Sequence, residues 1–190
     1  MSESIRLFIA IDLPQEVREK LYQLSLEIKS QIKDLRPTKP DNIHLTLKFL
    51  GYTPSPDLEN IKNALEETAS KTKTFKIKLE ELGAFPNFNY FRVLWASLSL
   101  GEAEIKMLKE NLDEELSLIG IEKDDRAFKV HITFARIKPK KRNIDLKKTL
   151  EEKRIDFEDM ITIKALHLYQ STLTRSGPIY TKLHTSNFSS

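Results

Sequence analysis

The chain has 190 residues, enough for one large domain or two small packed lobes around a substantial hydrophobic core. Hydrophobic residues make up 39% and charged residues 31%, a globular balance that excludes an intrinsically disordered chain. The formal net charge of +3 is too small to indicate nucleic-acid binding by itself, and the absence of cysteine excludes disulfides, thiolate-bound zinc and a cysteine nucleophile.

In chain order, the apolar run from Ile5 to Ile11 predicts a strand. It is too short, and too soon interrupted by Asp12, for a signal peptide or a membrane span. A cytoplasmic protein is expected. Pro14 suits the first turn of a helix, and Val17, Leu21, Leu24 and Ile28 carry that helix to about residue 32. RPTKPDN, residues 36–42, ends it. A strand is expected over 44–49, then a loop at Gly51, Pro54 and Pro56. A second helix follows from Leu58, capped by Ser55 or Asp57. Residues 75–79 and 93–100 read as strands, with the aromatic stretch LGAFPNFNYF as a loop between them. A helix is predicted over 102–118, a strand over 129–136, a basic loop, and a short helix over 146–153. A long strand over 161–173 and a last one over 179–184 follow.

Two stretches share one pattern. HLTLKFLG starts at His44, and HITFAR starts at His131; both read His, apolar, Thr, apolar. Their surroundings also repeat: helix, loop, motif strand, loop, helix, strand. Leu58 follows His44 by 14 residues, and Leu146 follows His131 by 15. One domain spanning 1–190, made of two similar lobes related by a pseudo-twofold axis, is expected.

Side chains alternate along a strand, so His44 and Thr46 share a face while Leu45 and Leu47 point to a core. His131 and Thr133 share a face in the same way, backed by Ile132 and Phe134. If the two faces meet across a groove, they bring together two imidazoles and two hydroxyls. That set suits phosphodiester hydrolysis without a metal or cofactor. A neutral imidazole can take a proton from water and a protonated one can give a proton to the leaving oxygen. Threonine hydroxyls can donate to the non-bridging oxygens. The competing readings are a metal site, for which neither motif has a neighbouring acidic cluster or third histidine, and a single His-x-Thr as ordinary strand chemistry. His167 and His184 lack the threonine partner and read as structural or exposed.

These residues resemble the two-histidine phosphoesterase superfamily and, more closely, the LigT-like RNA 2′,3′-cyclic phosphodiesterases, also described as 2′-5′ RNA ligases. The stretches RLFIAIDLP (6–14), NIHLTLKFLG (42–51), FRVLWASL (91–98), FKVHITFAR (128–136) and LYQSTLTRSGPIY (168–180) carry the resemblance in order along nearly the whole chain. It implies an α+β fold in which each lobe has an antiparallel sheet with flanking helices, around a central cleft. It implies hydrolysis of RNA 2′,3′-cyclic phosphate ends, tRNA-like fragments included, to 2′-phosphates by a monomeric enzyme. Ligation to a 5′-hydroxyl would be the reverse type of reaction. By this analogy His44 is the general acid, His131 the general base and Arg136 a substrate-binding residue. The alternative is a non-catalytic module on the same fold that binds nucleotides or RNA ends; a third reading is an esterase for a small cyclic nucleotide.

Other residues are candidates on position alone. Lys48 has the strand parity of His44 and Thr46 and so reads as a phosphate contact. Arg136 has the opposite parity to His131 and reaches the cleft only if the strand bulges or ends near Ala135. Tyr169, Ser171 and Tyr180 are candidates to line the groove, and Phe88, Tyr90 and Phe91 to stack on a base. KPKKRNIDLKK, residues 138–148, has six basic residues against one Asp and is placed to guide an RNA backbone.

Overall fold

The computed structural model describes residues 4–138, 145–153, 160–175 and 177–189. The first apolar run forms β1 (Ser4–Asp12), in which Leu7 to Ile11 are all buried. A run without polar alternation marks a strand covered on both faces. Next, α1 (Gln15–Gln31) buries Val17, Leu21, Leu24 and Ile28, the spacing read from the sequence. The proline-rich linker holds β2 (Arg36–Pro37) and one 3-10 turn at Pro40–Asn42. The motif strand β3 (His44–Pro54) runs through the expected loop at Gly51. It leads to α2 (Leu58–Ser70), where Asp57 holds the N-cap position without a side-chain capping bond.

A long hairpin follows. β4 (Phe75–Pro86) and β5 (Phe91–Leu100) pair antiparallel, so the aromatic stretch is strand as far as Pro86 rather than loop. α3 (Glu102–Leu118) starts after Gly101, whose φ is 86°. A Cβ there would also come within 2.6 Å of the Lys76 carbonyl oxygen, so glycine is needed twice over. β6 (Ile132–Arg136) is shorter than expected, with His131 immediately before it. α4 (Leu146–Glu152) is capped by Asp145, whose side chain accepts from the Lys148 N–H. The expected strand over 161–173 is two strands, β7 (Ile161–Ile163) and β8 (Ala165–Thr174), and β9 (Gly177–Asn187) ends the fold.

The strands form two antiparallel sheets, one of order β3-β1-β8-β9 and one of order β2-β6-β5-β4-β7. The α+β class is as expected. The repeat has a particular topology. Each half runs strand, helix, motif strand, helix, strand: β1-α1-β3-α2-β4, then β5-α3-β6-α4-β8. In each half the first strand pairs with the motif strand, but the last strand joins the other sheet. Thus β4 lies beside β5, and β8 beside β1. One continuous apolar core spans both sheets, and β3 and β6 approach each other where the sheets meet.

Candidate active site

Both motif strands are anchored by their oily faces. Leu45, Leu47, Ile132 and Phe134 are all buried. Each strand then bulges at the same point. In β1, Ile9 and Ala10 face Lys48 and Thr46, which leaves Leu47 as an extra residue in β3. In β5, Leu94 and Trp95 face Ala135 and Thr133, which leaves Phe134 extra in β6. A bulge resets the alternation of side chains. After it, Leu47 and Lys48 are both buried, as are Phe134 and Ala135.

The two bulges put the fifth residue after each histidine into the groove: Phe49 after His44, and Arg136 after His131. Arg136 therefore reaches the groove by the bulge its parity required. Lys48 does not share the face of His44 and Thr46, contrary to expectation. It borders the groove, but its ammonium group is taken up by Asp113 Oδ1 at 3.0 Å and the Glu122 carbonyl oxygen at 2.8 Å. Phe49 takes the expected lysine's place and is 63% exposed.

His44, Thr46, His131, Thr133 and Arg136 line one groove of about 1740 Å³. The His44 ring stacks on Phe8, with centroids 4.9 Å apart, and meets the edge of Tyr180 at 5.4 Å. Burial in this aromatic cage pushes the imidazole pKa down to about 4, against the opposing pull of the Asp12 carboxylate and the Asn42 carbonyl; Arg136 adds to the depression. Asp12 sits directly across from His44 in the β1–β3 pairing. It is held by the Tyr169 hydroxyl at 2.5 Å and the Lys182 ammonium at 2.6 Å, and it stays ionised below the usual carboxylate range through those bonds.

His131 is oriented differently. Its Nδ1 donates to the Lys129 carbonyl oxygen at 2.7 Å, and its ring meets Phe85 edge-on at 5.1 Å. With Nδ1 carrying the proton, Nε2 keeps its lone pair. Burial again lowers the pKa, the Lys129 carbonyl opposes this, and Arg136 adds to the lowering. Phe85 in turn stacks on Trp95 at 4.9 Å, and the indole lies flat over Gly83, where any Cβ would stand 2.3 Å from the ring.

Arg136 depresses the pKa of both imidazoles and also that of Tyr180, whose hydroxyl is nevertheless pushed up by burial. A guanidinium near enough to act on both imidazoles suits an anionic ligand. Among the described residues, eight Lys and Arg side chains line the groove against two Asp, so its field suits a polyanion.

The remaining candidates separate. Tyr180 lines the groove, whereas Tyr169 is committed to Asp12, and Ser171 accepts from Arg6 at 3.2 Å. Phe91 is buried, Phe88 packs on the core and Tyr90 lies under the Arg92 guanidinium, so these three stand apart from the groove. Besides Tyr180, the aromatic side chains lining the groove are Phe49, Phe85 and Phe128, which the sequence reading missed. His167 is buried between Thr185 and Asp12, and His184 pairs with Glu66. Of the basic run, Lys138 lines the groove, and residues 139–144 lie outside the described residues. Among the described residues no three His, Cys, Asp or Glu side chains cluster as a metal site would need. Among them, too, no helix is long and apolar enough to cross a membrane.

The sequence profile of the family described as LigT like phosphoesterase matches residues 11–95 and 100–180, each segment containing one motif. The chain belongs to the LigT-like phosphoesterase family. Among its relatives, the RNA 2′,3′-cyclic phosphodiesterase of Methanocaldococcus jannaschii is 37% identical over 180 residues, covering 93% of this chain and 96% of that one. The protein of the same name from Aquifex aeolicus is 34% identical, covering 93% and 94%. Among solved structures of similar fold, TT0787 of Thermus thermophilus aligns with a TM-score of 0.81 at 29% identity, covering 96% of this chain and 97% of that one. Escherichia coli LigT in its apo form aligns at 0.76 and 26%, covering both chains fully. The two antiparallel sheets with flanking helices are thus the family fold.

Proposed function

We propose that the groove hydrolyses 2′,3′-cyclic phosphate ends of RNA to 2′-phosphates, with His131 as general base and His44 as general acid. The observation that carries this reading is the convergence of both His-Thr pairs, from strands of different sheets, on one groove with Arg136. His131 Nε2 takes a proton from water as the water oxygen attacks phosphorus. The bond from phosphorus to O3′ breaks, and His44 supplies the proton to O3′. Thr46 and Thr133 donate to the two non-bridging oxygens, and Arg136 offsets their charge. Phe49 offers an exposed ring for an unpaired terminal base, and the cationic rim suits the strand behind it. The relatives named RNA 2′,3′-cyclic phosphodiesterase, matched over nine-tenths of this chain, support the substrate class.

A module that only binds RNA ends needs the cations but not two imidazoles of complementary placement. Ligation uses the same groups with a 5′-hydroxyl in place of water, and it gains over hydrolysis only where the groove excludes water. We assign the enzyme to the cytoplasm, acting as a monomer. The test is an oligoribonucleotide ending in a 2′,3′-cyclic phosphate. Phosphorus NMR of the product is expected to find a 2′-monoester. A 3′-monoester, or substrate that binds and is returned unchanged, would overturn the reading.

A further inference from the structure

The segment between α3 and β6, residues 119–131, has neither helix nor strand, yet Arg126, Phe128, Lys129 and His131 from it line the groove. Something other than a backbone ladder must hold it. The ties converge on a cluster of four charges. Lys48, on β3, donates to the Glu122 carbonyl oxygen at 2.8 Å and to Asp113 at 3.0 Å, and lies 3.5 Å from Asp124. Lys109, on α3, donates to Asp113 at 2.6 Å and Asp124 at 3.0 Å, with its ammonium 5.9 Å from the centre of the Phe128 ring. The two lysine side chains are only 2% and 5% exposed.

Removing two ammonium groups from water is costly even when they are paired. A leucine or methionine at position 48 would fill the space between β3 and α3 without that cost. The lysine adds a donor to the Glu122 backbone and a cation beside Asp124, both inside the irregular segment. Five residues beyond Asp124, the Lys129 carbonyl fixes the His131 ring. Lys48 itself lies two residues beyond Thr46, in the strand that begins with His44.

Resting on the function proposed above, we propose that Lys48 is a positioning residue: from the first motif strand it holds the 122–129 segment, and so sets the orientation of His131 across the groove. The test compares Lys48→Met with Asp124→Asn, a milder change because Asp124 is half-exposed, and with Lys48→Arg as the conservative control. Each is measured for melting temperature, for kcat and KM on a nucleoside 2′,3′-cyclic phosphate, and for the nitrogen-15 imidazole shifts of His131 without substrate. Folded Lys48→Met and Asp124→Asn proteins are expected to lose about ten- to a hundredfold in kcat, with KM changed about twofold or less. Their His131 signals should move from one tautomer protonated at Nδ1 to a mixture, and Lys48→Arg should recover much of both. Wild-type His131 shifts in the folded variants would overturn the proposal, whether or not the melting temperature or kcat falls. If the wild-type protein hydrolyses no cyclic phosphate, the functional reading fails, and the imidazole shifts still decide the role of Lys48.

Discussion

An imidazole with a pKa near 4 is protonated in only about one molecule in a hundred at pH 6, so free His44 is a poor proton donor. On the proposed function, the substrate supplies what is missing. Burial is the main cause of both depressions and Arg136 the smaller one; a cyclic phosphate monoanion bound beside Arg136 would offset that smaller part and add an attraction for the protonated imidazoles. Both pKa values should therefore rise on binding. The profile of kcat/KM reports the free enzyme, and that of kcat the complex. The kcat/KM bell is expected to lie on the acid side of the ordinary imidazole value of 6.5, with the kcat bell at higher pH. Stopped-flow rates across pH 4 to 9 would check this, and coincident or reversed bells would contradict it. The roles separate by leaving group. A p-nitrophenyl phosphodiester, whose leaving group needs no proton, should restore most of the rate to His44→Ala and little to His131→Ala. Rescue of His131→Ala instead would exchange the two assignments.

At the scale of the strand, the informative feature is the paired bulge. Strand alternation correctly put His44 with Thr46 and His131 with Thr133, because those residues precede the extra residue in each strand. It failed one step later. Lys48 turned inward to Asp113, and Phe49 came out in its stead, because a bulge leaves two successive residues on the buried side. Nothing in HLTLKFLG distinguishes a bulged from a regular strand; HITFAR carries only a partial signal, since Arg136 reaches the cleft if that strand bulges or ends near Ala135. The helices were legible because their apolar stripes are long and regular, whereas Asp12 was not, since its role depends on a pairing across β1 and β3. The two groove-facing bulge products should fail differently when truncated. Phe49→Ala is expected to raise KM for an RNA end by about five- to a hundredfold, the worth of one base stack, with kcat little changed. Arg136→Ala should cut kcat by about 10² to 10³ if, as proposed, its charge offsets that on the non-bridging oxygens in the transition state. Steady-state kinetics on one RNA substrate separates the two patterns.

For the molecule as a whole, the exchange of β4 and β8 between sheets means that neither half of the sequence can build its own sheet. Each sheet takes two strands from the other half, β8 and β9 in one and β2 and β4 in the other, and one core joins them. The sequence repeat is thus visible as two lobes' worth of elements, but the exchange is invisible, because a strand's pattern does not name its neighbour. Residues 1–88 and 89–190 expressed separately should each lack a cooperative thermal transition by circular dichroism; a sharp melt in either half would contradict the exchange as a folding constraint. The same architecture brings the two histidines, 87 positions apart in sequence, to one groove. The most direct measurement of that claim is the rate on an RNA 2′,3′-cyclic phosphate end in excess EDTA for the wild type, His44→Ala, His131→Ala and the double variant. Full wild-type turnover is predicted, with each single variant down about 10² to 10⁴-fold and the double falling far short of the product of the two losses. Turnover abolished by the chelator and restored by a divalent cation, or a histidine variant with wild-type rate, would contradict it.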